Sequence, residues 1–72
     1  MEILQRVGEL VRQHRSEQGL SQEELGHHAD LHRTYVSSVE RGIRNPTITV
    51  LHRIAAALGL TVSELLDGLE DE

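Results

Sequence analysis

Arg33, Thr34, Ser37 and Ser38 stand at i, i+1, i+4 and i+5, a spacing that sets them on one face of a helix. A plain solvated helix face usually carries long charged side chains. Short hydroxyls beside a single arginine suit a face that must come close to another surface. Arginine can pair bidentately with guanine, and Ser and Thr can serve varied base edges or phosphates. The row therefore points to the major groove of DNA. Tyr35 lies between this row and the buried one, where its ring can cover the helix pair while its hydroxyl reaches water.

Two further groups fit phosphate. Gln22 sits at a helix start, where a phosphate would meet free backbone N–H groups. The loop G-I-R-N-P-T, residues 42–47, offers Arg44, Asn45 and its backbone, either as a phosphate cradle or as an ordinary polar connector. Rival chemistry is poorly supplied. His28 and His32 are four apart, a zinc-compatible spacing on one helix, but a turn falls between them at Asp30 and no cysteine or carboxylate completes a ligand set. With His27 they are expected to meet solvent or phosphate, and no metal or other cofactor is expected. The serines lack a base with an orienting carboxylate, and there is no glycine-rich phosphate loop, so an enzyme is not expected.

The elements that must hold these residues are helical. Ile3, Val7, Leu10, Val11 and His14 form one stripe of a first helix, about residues 2–18, with Gly8 inside it for close packing and Gly19 as its left-handed cap. Ser21 and Glu24 make a capping box for a second helix, about 21–29, with Leu25, Gly26 and Ala29 inward. Asp30 falls at a sharp turn and tolerates the left-handed conformation. The third helix, about 32–41, turns Val36 and Val39 towards Leu25, Ala29 and Leu31. Thr47 caps a fourth, about 48–58, whose inward face is expected to be Ile48, Leu51, Ile54, Ala55 and Leu58. Thr61 and Glu64 box a short fifth, about 62–67, with Leu65 towards the core. Leu60, Val62, Leu66 and Leu69 exceed what that short helix needs, so they either close the bundle or form an interface. Residues 1–69 read as one domain, followed by an acidic tail, 70–72, expected to be disordered.

Seventy-two residues make a core that is marginal alone, and association often adds stability at this size. The net charge of −5 opposes nucleic-acid binding at first sight, but it is unevenly spread. Residues 27–53 carry four arginines against two acids, whereas residues 54–72 carry five acids and no base. All seven basic residues are arginine, which favours geometric recognition over diffuse attraction. No apolar run is long enough for a membrane span or secretory signal, so a cytoplasmic location is expected.

The small and apolar residues Leu25, Gly26, Ala29, Leu31, Val36 and Val39, with the strings S-Q-E-E-L, V-E-R-G and R-N-P-T-I, resemble the XRE-type, phage-repressor-like helix-turn-helix family over about residues 7–66. The string R-T-Y-V-S is most similar to the controller proteins of restriction–modification systems. Asp30, where the family often has glycine, and His32, where it often has Ser, Thr or Asp as helix cap, depart from the pattern. The resemblance implies an all-α, five-helix, lambda-repressor-like domain and a homodimeric transcriptional regulator on a palindromic operator, with one or two dimers per operator. Arg33, Thr34, Tyr35, Ser37 and Ser38 would then contact bases, while Gln22, Arg44, Asn45 and Thr47 would fix register on phosphate. It also implies an Arg12–Glu40 salt bridge joining the first helix to the third, and a dimer interface at Leu60, Val62, Leu66 and Leu69. The narrower likeness implies autoregulation of a restriction–modification operon, with no small-molecule effector. An antitoxin or phage-type repressor, and a protein-interaction module that has lost DNA binding, are the alternatives.

Overall fold

Each helix starts where a side chain can satisfy the otherwise orphan first-turn N–H groups. In the computed structural model, which describes residues 2–71, the Glu2 carboxylate accepts from the N–H of Leu4 and Gln5 and opens α1, Ile3–Glu17. Ser21 and Glu24 close the reciprocal box that opens α2, Gln22–Ala29. The cap of α3, Arg33–Glu40, is the imidazole of His32, whose Nδ1 accepts from the Thr34 N–H at 3.1 Å. The ring thus performs the task that a hydroxyl or carboxylate performs elsewhere. Thr47 caps α4, Ile48–Ala57, and a second reciprocal box, Thr61 with Glu64, opens α5, Val62–Leu65.

These five helices, with no strand among the described residues, enclose an aliphatic core. Val11, Leu25, Val36, Ile54, Ala55 and Leu65 are fully enclosed, one or more from every helix. Burying each of the larger side chains contributes about 1.5–3 kcal/mol. The third helix packs on both α1 and α2, and α4 bridges α2 and α5.

Two glycines set how closely α3 is held. A Cβ on Gly8 would lie 2.5 Å from the carbonyl oxygens of Val39 and Glu40, so α1 and α3 cross with nothing between them. A Cβ on Gly26 would lie 2.4 Å from the Leu31 carbonyl oxygen, so the turn is pressed against α2. The Leu31 N–H closes that turn on the Gly26 carbonyl at 2.8 Å. Asp30, with φ 58° and ψ 48°, occupies the left-handed region within it.

Three expectations change. The fourth helix turns Ile48 outward, 67% exposed, because the inward face begins only at Leu51, where the helix reaches the bundle. Ile3 is likewise exposed at the free end of α1. The fifth helix ends at Leu65, and Leu66–Gly68 form turns, with Gly68 at φ 81°. Of the acidic tail, Glu70 and Asp71 are exposed and the Asp71 N–H closes a turn on the Gly68 carbonyl at 3.1 Å, while Glu72 lies outside the described residues. No helix among the described residues is long and apolar enough to cross a membrane.

Candidate nucleic-acid interface

The cap His32 and the first two residues of the third helix, Arg33 and Thr34, are exposed to solvent. The His32 Nδ1 also lies 2.8 Å from the Thr34 hydroxyl, so the cap fixes the direction of that side chain. Ser37 and Ser38 are half-buried one turn on. The Ser38 hydroxyl donates to the Tyr35 carbonyl at 2.8 Å, which leaves its oxygen lone pairs for a partner. The outward row expected from spacing is therefore continuous, and Arg33 and Thr34 are its most accessible members.

Tyr35 is half-buried and packs against the core. The Arg44 guanidinium carbon lies 5.1 Å from the centre of its ring, a cation–π distance. This contact draws the loop after α3 onto the flank of the helix. The Ser38 carbonyl strengthens it by accepting from the N–H of both Ile43 and Arg44, at 3.0 and 3.2 Å. Pro46 is buried, whereas Arg44, Asn45 and Thr47 remain exposed beside it. The Thr47 hydroxyl is engaged as the α4 cap with the Val50 N–H at 3.2 Å. Ile43, 66% exposed, is the one large apolar side chain in this loop open to solvent.

The salt bridge to Glu40 is made by a different arginine from the one expected. Arg15 grips the Glu40 carboxylate with two parallel bonds, Nε to Oε2 at 2.7 Å and Nη2 to Oε1 at 2.9 Å, and donates through Nη1 to the Leu20 carbonyl at 2.8 Å. Arg12 is exposed. It lies one turn nearer the start of α1, whereas Arg15 stands where it reaches both the Glu40 carboxylate and the Leu20 carbonyl. The Glu40 side chain is only 3% exposed and that of Arg15 15%. The hydrogen bond to Glu40 holds the Arg15 guanidinium above its ordinary pKa, with Coulombic attraction adding to it against partial desolvation.

Gln22 completes the cluster. Its side-chain amide donates to Glu40 Oε1 at 3.0 Å, tying the start of α2 to the end of α3. Arg12 and Arg41, the latter absent from the expected contacts, border the same shallow depression of about 270 Å³. Glu40 is the only acid between Asp30 and Glu64. With Arg15 neutralising it, the surface formed by α3 and the following loop carries the uncompensated charge of Arg33, Arg41 and Arg44. Arg41 stood within the V-E-R-G string, so its charge was legible, but its place beside Gln22 depends on the α2–α3 packing.

The remaining candidates lie elsewhere. His27 and His28 meet edge to face with ring centres 5.8 Å apart. No group of three or more His, Cys, Asp or Glu among the described residues is arranged to hold a metal ion. Leu60, Val62, Leu66 and Leu69 are half-buried and pack against the core, so they close the bundle in part and keep only a portion of their surface for another chain.

The control protein C.BamHI of Bacillus amyloliquefaciens is 48% identical over 61 residues, covering 83% of this chain and 75% of the relative. The crystal structure of the restriction-modification controller protein C.AhdI from Aeromonas hydrophila superposes with a TM-score of 0.84 at 40% identity, covering 86% of this chain and 94% of that one. A tetramer of the controller protein C.Esp1396I, solved in complex with its natural 35-base-pair operator, gives a TM-score of 0.87 at 33% identity, covering 96% of this chain and 91% of that one. The helix-turn-helix family model matches residues 11–65, more than half of the chain, and on the strength of that match and of these relatives the chain belongs to the helix-turn-helix family.

Proposed function

We propose that this chain is a sequence-specific transcriptional regulator that binds a palindromic operator as a homodimer, with two dimers filling a longer operator, and that it works in the cytoplasm on the nucleoid. The observation that carries the reading is the exposed Arg33–Thr34 end of α3 within a surface whose one acid, Glu40, is buried against Arg15. In this arrangement α3 enters the major groove. Arg33 and Thr34 read base edges, while Tyr35, Ser37 and Ser38 add base or backbone contacts. Gln22, Arg44, Asn45 and Thr47 fix register on phosphates, which carry little sequence information. Arg12 and Arg41 extend the cationic rim beside Gln22.

The half-exposed surfaces of Leu60, Val62, Leu66 and Leu69 form the dimer contact in this reading, so that two α3 helices sit about one DNA turn apart. The likeness to control proteins supports autoregulation of a restriction–modification operon by protein concentration, without an effector. Selection of duplexes from a random library tests the whole. A recovered palindrome bound by two or four chains supports the reading, and no enrichment from folded protein sinks it. Replacing Arg33 with alanine should cost about 1–3 kcal/mol in operator affinity and relax base preference at one position per half-site. Retention of both would remove Arg33 from its role.

A further inference from the structure

A second interhelical arginine contact lies at the turn that leads into α3. Arg53 stands on α4, far along the chain from the turn between α2 and α3, yet its side chain ends on that turn. Its Nε donates to the Ala29 carbonyl at 3.0 Å, and its Nη2 donates to the Asp30 carbonyl. The same nitrogen lies 3.7 Å from Asp30 Oδ2. These two carbonyls are among those that a helix C-terminus leaves without internal partners, and a cation there also opposes the helix dipole.

What makes the contact consequential is the residue it grips. Among the described residues, Asp30 is the only one other than glycine with a positive φ. Its backbone angles set the direction in which the chain leaves α2, and α3 begins three residues later at Arg33. Aspartate tolerates that conformation less readily than glycine, so a turn built on it gains from outside support that a glycine turn would not need. The Gly26–Leu31 contact clamps the turn from the side of α2, and Arg53 clamps it from α4.

We propose that Arg53 is a positioning residue for DNA recognition. From α4 it locks the left-handed Asp30 turn and so fixes the angle at which α3 is offered to the groove, without touching DNA itself. The proposal goes beyond the DNA-binding reading and its functional arm rests on it. It also has an arm that needs no DNA.

The test compares the full chain with Arg53→Ala and Arg53→Gln, the second keeping one donor and most of the stem. Amide hydrogen exchange is measured first, without DNA. Selective loss of protection at the Leu31 N–H, with the core of α1 and α4 unchanged, is expected in both variants and more in the first. Unchanged protection there overturns the proposal, and does so whether or not the protein binds DNA. Affinity for a selected operator duplex is then measured at a temperature where every variant is folded. The expected loss is about tenfold for Arg53→Ala, the scale of coupling between residues in contact. The dependence of log affinity on log salt should stay that of the parent, because no phosphate contact is removed. A slope shallower by about 0.9 would make Arg53 a phosphate ligand instead and overturn the positioning role. A lowered melting temperature with parental operator affinity would make it structural only. Adding Asp30→Gly to Arg53→Ala should restore most of the lost affinity, since glycine adopts the turn unaided. If the parent protein enriches no duplex at all, the DNA-binding reading fails while the exchange result still decides what Arg53 does to the turn.

Discussion

Arg15 and Arg12 offer a contrast between two arginines one helical turn apart. Arg15 is bonded to a carboxylate that is almost fully enclosed, so its removal leaves Glu40 charged and without its main partner. The Arg15→Ala variant should lose about 3 kcal/mol of stability in denaturant titration. Arg12→Ala should stay within about 0.5 kcal/mol of the parent, as for an exposed residue with nothing to lose in the fold. Equal losses in the two variants would mean that the bridge is shared. Glu24 supports a prediction in pH. Hydrogen bonds from the backbone N–H and hydroxyl of Ser21 hold its carboxyl below the ordinary range. A depressed folded pKa stabilises the protein above the unfolded value and loses that contribution as pH falls through the folded one. Relative to Glu24→Gln, the parent should therefore be more stable at neutral pH, and the gap should close below about pH 4. Melting curves across that range check it, and a gap that widens on acidification would reverse the sign.

At the scale of elements, α3 is held from two sides with unusually little space. The α1 crossing depends on Gly8, where an added methyl would meet two backbone carbonyl oxygens at 2.5 Å. Backbone cannot step aside as a flexible side chain can, so α1 and α3 must separate. The helix propensity gained from alanine, about 1 kcal/mol, is smaller than the overpacking it causes. Gly8→Ala should be destabilised by about 2 kcal/mol or more and should loosen the Arg15–Glu40 pair with it. A variant as stable as the parent would show that the crossing has slack. The same closeness explains why α3 needs few residues of its own to stay in place. Val36 and Val39 are enclosed, and its ends are fixed by the His32 ring and by Glu40.

At the scale of the whole molecule, charge and apolar surface are segregated along the chain. The segment 27–53 carries a surplus of arginine, and the C-terminal segment 54–72 carries five acids and no base. Under the DNA-binding proposal, the acidic end limits attraction to arbitrary DNA and leaves binding dependent on the geometric contacts of α3. The molecule measures 31 × 22 × 22 Å, small enough that association should add stability. Under the dimer proposal, the melting temperature should rise with protein concentration, since a dimer is stabilised by mass action. Leu69→Asp, placing a charge at the half-buried apolar rim, should abolish that dependence and shift sedimentation to a monomer. A parent that sediments as a monomer at micromolar concentration would argue against this interface.

Local chemistry was legible in the residue order. Capping boxes at Ser21–Glu24 and Thr61–Glu64, the left-handed Asp30 turn and the apolar stripes of α1 and α2 involve groups within about four positions of each other, so their types and spacing suffice. The exposed Arg33–Thr34 end followed from helical period alone. What joins one helix to another was not legible in that way. Arg12 and Arg15 are both arginines on the same helix, and only the packing of α1 against α3 decides which one meets Glu40. Ile48 matches the inward pattern of α4, but the helix reaches the bundle one turn later and leaves it in solvent. Arg53 reads as one more cation in a basic segment until the fold lays α4 behind the α2 terminus. Period and caps are set by the helix geometry every such sequence shares. Crossing angles are set by how particular side chains, and the absence of them at Gly8 and Gly26, let backbones approach, which only the packed structure decides.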